Sequence, residues 1–297
     1  MSWNRLKLHW DKQTVLTQVS VVGVTAGVLM GLGTRYALPR VSGGRVATMI
    51  GFSYFLFGIF VAFAIDSCRT RLAKVDDLLK VDEANLLSLF VLSRSFGPDE
   101  HSRVLAMIDR HVVDQIDYRL TDFYRSTSSF LELFEHLRAL QSTSVAQEIA
   151  YAKAMDLMVE TSANRKQVIA AVGNQMSPAE WASIYLLLII QVVLLGSFLG
   201  GYGFGAVVAG LLTTVLFVIT LILWHLDRFR WQENALIWSP LHQLFLDLGL
   251  LPYYPAIVFE TARAKPHGVV RVATYPHPYP DMRDKSIEVR EFVQHDV

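Results

Sequence analysis

Residues 181–226 read WASIYLLLIIQVVLLGSFLGGYGFGAVVAGLLTTVLFVITLILWHL, a stretch without Asp, Glu, Lys or Arg. A helix crosses the hydrocarbon layer of a membrane with about 20 apolar residues; as one rod this stretch would run to roughly 69 Å, more than twice that layer. Gly200-Gly201-Tyr202-Gly203-Phe204-Gly205 supplies the place to turn, so the stretch reads as two crossings. Outward from it, residues 66–180 carry many charges, while residues 13–34 and 46–65 carry none and are each one crossing long. The expected fold is an all-α membrane protein with four transmembrane helices in two hairpins, a helical cytoplasmic bundle between them and an irregular C-terminal tail. The segments are 1–65 (leader and first hairpin), 66–180 (helical domain), 181–226 (second hairpin) and 227–297 (interfacial segment and Pro-rich tail).

Composition agrees. Of 297 residues 52% are apolar and 18% charged, and the mean hydropathy is +0.33, values of a membrane protein rather than a soluble enzyme. The formal net charge is zero, so nothing points to nucleic acid, whose binding needs concentrated Lys and Arg. The single cysteine, Cys68, cannot form an internal disulfide and reads as a free thiol near the membrane. The first apolar stretch follows Arg5, Lys7 and Lys12 but is too long for a signal peptide and reads as a retained helix. Arg228 and Arg230 follow the last crossing while the Gly-rich turn is uncharged, so the second hairpin places both termini and the helical domain in the cytoplasm of a multi-pass cell-membrane protein; the first hairpin, with Arg35, Arg40 and Arg45 in its outer loop, does not decide the orientation.

The polar middle reads as helices. Leu105, Ile108, Val112, Ile116, Leu120 and Phe123 recur at three and four, a buried stripe on one helix opened by Gly97-Pro98-Asp99-Glu100; Phe130, Phe134 and Leu137 form a second stripe, and Ile149, Ala152, Met155 and Val159 a third. Asp66 to Ser95 contains neither Pro nor Gly, so the second crossing continues out of the membrane as a stalk. Ser177-Pro178-Ala179-Glu180 is a capping box before the third crossing. After Leu226, residues 240–251 are amphipathic, an interfacial helix; the prolines of Tyr275-Pro276-His277-Pro278-Tyr279-Pro280 forbid a helix, and the alternating run 286–293 gives one short strand pair in an extended tail.

Within the first crossing Gly23, Gly27 and Gly31 repeat every four residues, spacing that lets another backbone approach, either within the protomer or between protomers. In the second, Phe52, Phe55, Ile59, Phe63 and Asp66 share one face, with Tyr54, Phe57 and Phe60 elsewhere. That face is either a packed or lipid-facing surface or, repeated around an axis, a hydrophobic constriction with Asp66 at its mouth. No acidic or basic residue lies mid-membrane, which argues against a proton-coupled transporter. There is no HExxH, CxxC, GxxxxGK or GxSxG, so no enzymatic chemistry and no cofactor is indicated. Asp76, Asp77, Asp82 and Glu83 form either a solvated helix face or a candidate cation site shared among protomers; no metal is assigned.

Phe57-Gly58-Ile59-Phe60-Val61-Ala62-Phe63, Glu83-Ala84-Asn85-Leu86-Leu87-Ser88-Leu89, Asn164-Arg165, Trp181 and Leu226-Asp227-Arg228-Phe229 come in an order and spacing that resembles the bestrophin-like family of largely bacterial membrane proteins, over roughly residues 45–230. The resemblance implies a homo-oligomer related to chloride-permeable bestrophin channels, in which the second helix of each subunit lines the pore. It places a neck at Phe55, Ile59 and Phe63 with Phe52 as a further ring. No acidic calcium clasp is recognised, and the tail after Arg230 is outside the shared pattern. Its partners are then the bilayer, further copies of the chain and chloride or another small anion. The alternative is a non-conducting membrane scaffold that binds a protein partner through its bundle and tail.

Overall fold

The computed structural model describes residues 15–36, 44–199, 203–229, 234–256 and 268–292. In chain order these form α1 (Val15–Tyr36), α2 (Gly44–Ser93), a 3-10 turn (Arg94–Phe96), α3 (Pro98–Asp117), 3-10 turns (Leu120–Ser126), α4 (Thr127–Arg138), α5 (Val145–Gly173), α6 (Pro178–Leu199), α7 (Gly203–Asp227), a π-helical turn (Asn234–Trp238), α8 (Ser239–Asp247), β1 (Tyr253–Pro255), β2 (Gly268–Thr274) and β3 (Ser286–Phe292). Two units divide the chain, one of Met1–Thr70 with Gln175–Trp231, the other of Arg71–Asn174 with Gln232–Val297. α2 contributes residues to both.

In the first unit three helices are long and apolar enough to cross a membrane, those containing α2, α6 and α7; α1 adds a shorter apolar stretch, Val21–Met30. The N-terminal leader and the Gly-rich turn at 200–202 lie outside the described residues. α6 starts at the expected capping box: Glu180 N donates to Ser177 Oγ at 3.2 Å and Ser177 N to Glu180 Oε2 at 2.6 Å. Phe57, Val61 and Cys68 of α2 form a buried cluster with Ile184 and Leu188 of α6 and Leu216 and Leu223 of α7. Asp227 ties α6 to the end of α7, accepting from Met176 N at 3.0 Å and Trp181 Nε1 at 3.2 Å.

α1 packs lengthwise on α7. A Cβ placed on Gly27 would stand 2.7 Å from the carbonyl oxygen of Gly210, and one on Gly23 would stand 2.8 Å from Val218 Cγ2. The surroundings of Gly31 lie outside the described residues. Thr214 Oγ1 stands closer still and can turn away, but the Gly210 backbone cannot, so Gly27→Val forces the helices apart; an overpacked contact costs about 1–3 kcal/mol. Gly33→Val, with no described residue within 4 Å of its Cβ position, is the matched control. Thermal unfolding in detergent should drop for the first and hold for the second. Equal midpoints would remove α1–α7 contact as a source of stability.

The second unit corrects four expectations. The helix opened at Pro98 ends at Asp117, where Tyr118 turns extended (φ −93°, ψ 142°), and Leu120 and Phe123 belong to the 3-10 turns that follow. Its buried stripe begins at Val104 rather than Leu105. On α4 Leu133 is buried with Phe130 and Leu137, and Phe134 is half-buried. On α5 the expected stripe faces outward: Ile149 and Val159 are 67% and 60% exposed, while Ala150, Ala154, Met158, Val168 and Val172 are buried. Apolar residues occur all round this helix, so periodicity did not single out a face, and the small Ala150 and Ala154 make the closer contact. The fourth correction is the tail, where the expected strand pair forms but is joined by a third strand. β2 pairs antiparallel with β3, Gly268 opposite Phe292 through Thr274 opposite Ser286, and parallel with β1, giving the order β1-β2-β3. α8 buries Leu241, Leu244 and Phe245 within this unit, so the apolar side of the amphipathic segment is taken up by protein.

Candidate functional site: the outer face of α2

At 100° per residue Phe52, Phe55, Ile59, Phe63 and Asp66 fall within a sector of about 80°, and Phe57, Val61 and Cys68 fall on the opposite side. The structure uses that opposite side for the buried cluster with α6 and α7. The aromatic side is left open: Phe52, Phe55 and Phe63 are 62%, 62% and 72% exposed, Asp66 is exposed and Ile59 is half-buried. Phe60 flanks it, 50% exposed, while Tyr54 packs on the buried cluster. Against water, leaving three Phe rings uncovered forgoes about 1.5–3 kcal/mol each. Against lipid the penalty vanishes, but no attraction holds further helices there either. The stripe is therefore a surface that a membrane, or other copies of the chain, completes.

The four carboxylates of the stalk do not converge within the chain. Asp76 pairs with Lys80 at 2.6 Å, Asp77 is exposed, and Glu83 is half-buried, its carboxyl pushed up by burial and then by the charge of Asp247. Asp82 turns inward, accepting from Gln115 Nε2 at 2.9 Å and standing 4.0 Å from Arg165. Among the described residues no three His, Cys, Asp or Glu side chains gather to hold a metal ion.

Asp82 instead belongs to a buried network. His111 Nε2 faces two donors, Gln115 Nε2 at 3.0 Å and Arg165 Nη1 at 3.2 Å, and its Nδ1 lies 3.1 Å from Ser129 Oγ. Ser129 Oγ donates to Ser126 O at 3.2 Å, so it accepts from Nδ1–H, which assigns a neutral imidazole. Arg165 also donates to Ser126 Oγ at 2.8 Å and lies over the rings of Phe123 and Phe130 at 4.6 and 5.1 Å. Burial and then the Arg165 charge push His111 well below its ordinary value; burial also raises the Asp82 carboxyl, with Arg165 opposing. Sequence reading singled out Asp82, as part of a cation site, and the Asn164-Arg165 step, but the members are scattered and nothing in the sequence joined them.

A second cluster joins the sheet to α3. Asp117 accepts from the hydroxyls of Tyr253 and Tyr275 at 2.6 and 2.5 Å and from Lys285 Nζ at 2.7 Å, and Asp109 takes both ends of the Arg271 guanidinium at 2.7 and 2.8 Å. Burial, followed by the Asp117 charge, keeps both phenols protonated.

The apolar spans, the α2 face and the buried arginine all fall in the stretch that a family description covers: the description of a Bestrophin-like domain matches residues 44–228. No curated protein and no solved structure matches the chain. With more than half of its length inside that match, the chain belongs to the bestrophin-like family of membrane proteins, which is related to the bestrophin channels.

Proposed function

We propose that the protein is an oligomeric ion channel that passes anions, with α2 of each copy lining a hydrophobic neck. In this reading α1 is a fourth crossing, the chain is a multi-pass protein of the cell membrane, and the helical unit and both termini are cytoplasmic. The supporting observation is the stripe Phe52, Phe55, Ile59 and Phe63, set opposite the face by which α2 packs on its own protomer. Copies arranged around an axis bring these rings together, and a narrow apolar passage controls ions by dewetting. Asp66 then marks the mouth. The charge-free spans suit a passage that holds no ion by fixed charge.

Purified protein in planar bilayers should carry current whose reversal potential follows the chloride gradient. Phe55→Ala, Ile59→Ala and Phe63→Ala combined remove the neck and should raise the current several-fold. Silence from a verified, correctly inserted oligomer sinks the proposal and favours the second reading, a non-conducting membrane scaffold or accessory subunit. One observation favours that rival: α5 exposes Val145, Ile149 and Val159 at 74%, 67% and 60%, an apolar face that a partner complex would cover.

A further inference from the structure

Between α3 and the connection from β2 to β3, wholly within the second unit, lies an open cleft of about 630 Å³. Ligand pockets commonly enclose about 300–1,000 Å³, so the cleft admits an organic molecule rather than a lone ion. Its walls carry Arg110, Arg125, Arg283 and Lys285 against two carboxylates, Asp114 and Asp281. The three arginines come from three separate segments: α3, the 3-10 turns and the β2–β3 connection.

These cations are not all equally committed. Lys285 is only 23% exposed and is held by buried Asp117 at 2.7 Å. Arg110 pairs with Glu132 at 2.7 Å, with side chains 65% and 49% exposed, and Arg125 reaches Asp122 only at 3.6 Å. Arg283, 80% exposed, pairs with Asp281 two residues before it. Exposed single-contact pairs are worth about 0–1 kcal/mol, so Arg110 and Arg125 can exchange partners at little cost, whereas Asp281 already takes both ends of the Arg283 guanidinium, at 2.9 and 2.6 Å. A phosphate group offers more than the carboxylates do: greater charge, three acceptor oxygens, and a geometry the guanidinium fork meets with two parallel hydrogen bonds. Asp114 and Asp281 line the same cleft, so an anion binds there by displacing these carboxylates from the guanidiniums rather than by joining them. Tyr118 adds a half-buried phenol to the wall.

We infer that this cleft binds a phosphate-bearing anion, a soluble diphosphate or the headgroup of a phospholipid, through Arg110, Arg125 and Arg283. Bound there, it bridges α3 to the β2–β3 connection and tightens the hold on the C-terminal sheet. The inference is independent of conduction, and a silent bilayer leaves it standing.

The test titrates inorganic pyrophosphate into the full-length protein in neutral detergent by calorimetry. In parallel, hydrogen exchange of β2 and β3 is followed in nanodiscs of phosphatidylcholine with and without phosphatidylglycerol. A saturable heat with pyrophosphate, weakened about tenfold or more by Arg110→Ala and by Arg125→Ala, supports a soluble ligand. Strand protection that rises only with phosphatidylglycerol, and is lost in the same variants, supports the headgroup. Arg283→Ala, on a side chain 80% exposed, should weaken binding as well and guards against misfolding as the cause of a loss. Arg103→Ala removes an exposed cation paired elsewhere, with Glu100, and must leave binding intact. No saturable response to either probe overturns the inference. So does binding that survives both the Arg110 and Arg125 changes, or that falls equally with Arg103→Ala.

Discussion

Arg165→Met should lower the stability of the protein by about 3–5 kcal/mol, the range for leaving one member of a buried ion pair uncompensated. Arg165 and Asp82 are each 3% exposed, and Asp82 Oδ1 has no hydrogen-bond partner among the described residues even with Arg165 in place. Methionine keeps much of the volume between Phe123 and Phe130 but withdraws the charge from Asp82 and one donor from His111 Nε2. The double change Arg165→Met with Asp82→Leu removes both charges and should recover most of the loss, as apolar replacement of whole buried pairs often does. Thermal unfolding in detergent reads both. A double variant no better than the single one would mean that packing around Arg165, not its charge, stabilises this unit.

The same network sets a pH dependence. His111 is neutral in the folded state and its value is depressed by burial and by Arg165. The unfolded chain takes up a proton near the ordinary imidazole value of about 6.5, while the folded chain does not. Stability from this group is therefore present above that value and lost as pH falls through it toward the folded one. Asp82, raised by burial, works in the other direction, favouring the folded state at low pH and losing that contribution as pH rises through its raised value. From pH 7.5 to 5.5 the unfolding midpoint should fall, and His111→Gln should flatten the fall. A slope unchanged in that variant would assign it to other groups.

Asp117→Ala is the second large effect, about 3 kcal/mol, concentrated on the sheet. Its carboxylate has a side chain 1% exposed and receives two phenols and an ammonium. Without it Lys285 keeps only Asp114, at 3.8 Å, and the two phenols keep only each other, at 3.1 Å. The Arg271–Asp109 pair remains and keeps β2 near α3. Hydrogen exchange should therefore accelerate in β3 more than in β2. Unchanged exchange in both strands would show that the sheet is held by burial of Val270, Val272 and Ala273 alone.

Much of the first unit could be read directly. The cost of placing a charge in hydrocarbon and the thickness of the layer act on consecutive residues, so the uncharged runs that become α2, α6 and α7 and the capping box at Ser177 are written locally. The stripe of Phe52, Phe55, Ile59 and Phe63 was also visible, because a helix fixes which residues share a face. α1 was less so: three qualifying helices, not four, stand among the described residues.

The second unit depended on pairings that no local rule encodes. Lys285 meets Asp117 across 168 positions and Gln115 meets Asp82 across 33, so the end of α3 and the docking of the tail follow from partners far along the chain. α5 shows the same limit from packing: with apolar residues on every side, neighbours chose Ala150 and Ala154 over Ile149 and Val159. The amino-acid order by itself determined where charge is excluded and how long each rod must be, since both follow from solvation of adjacent residues. Tertiary structure alone decided which apolar face is covered, where Asp82 finds Arg165, and that β1 joins the tail's strand pair, since buried polar groups are satisfied only by whatever the fold brings beside them.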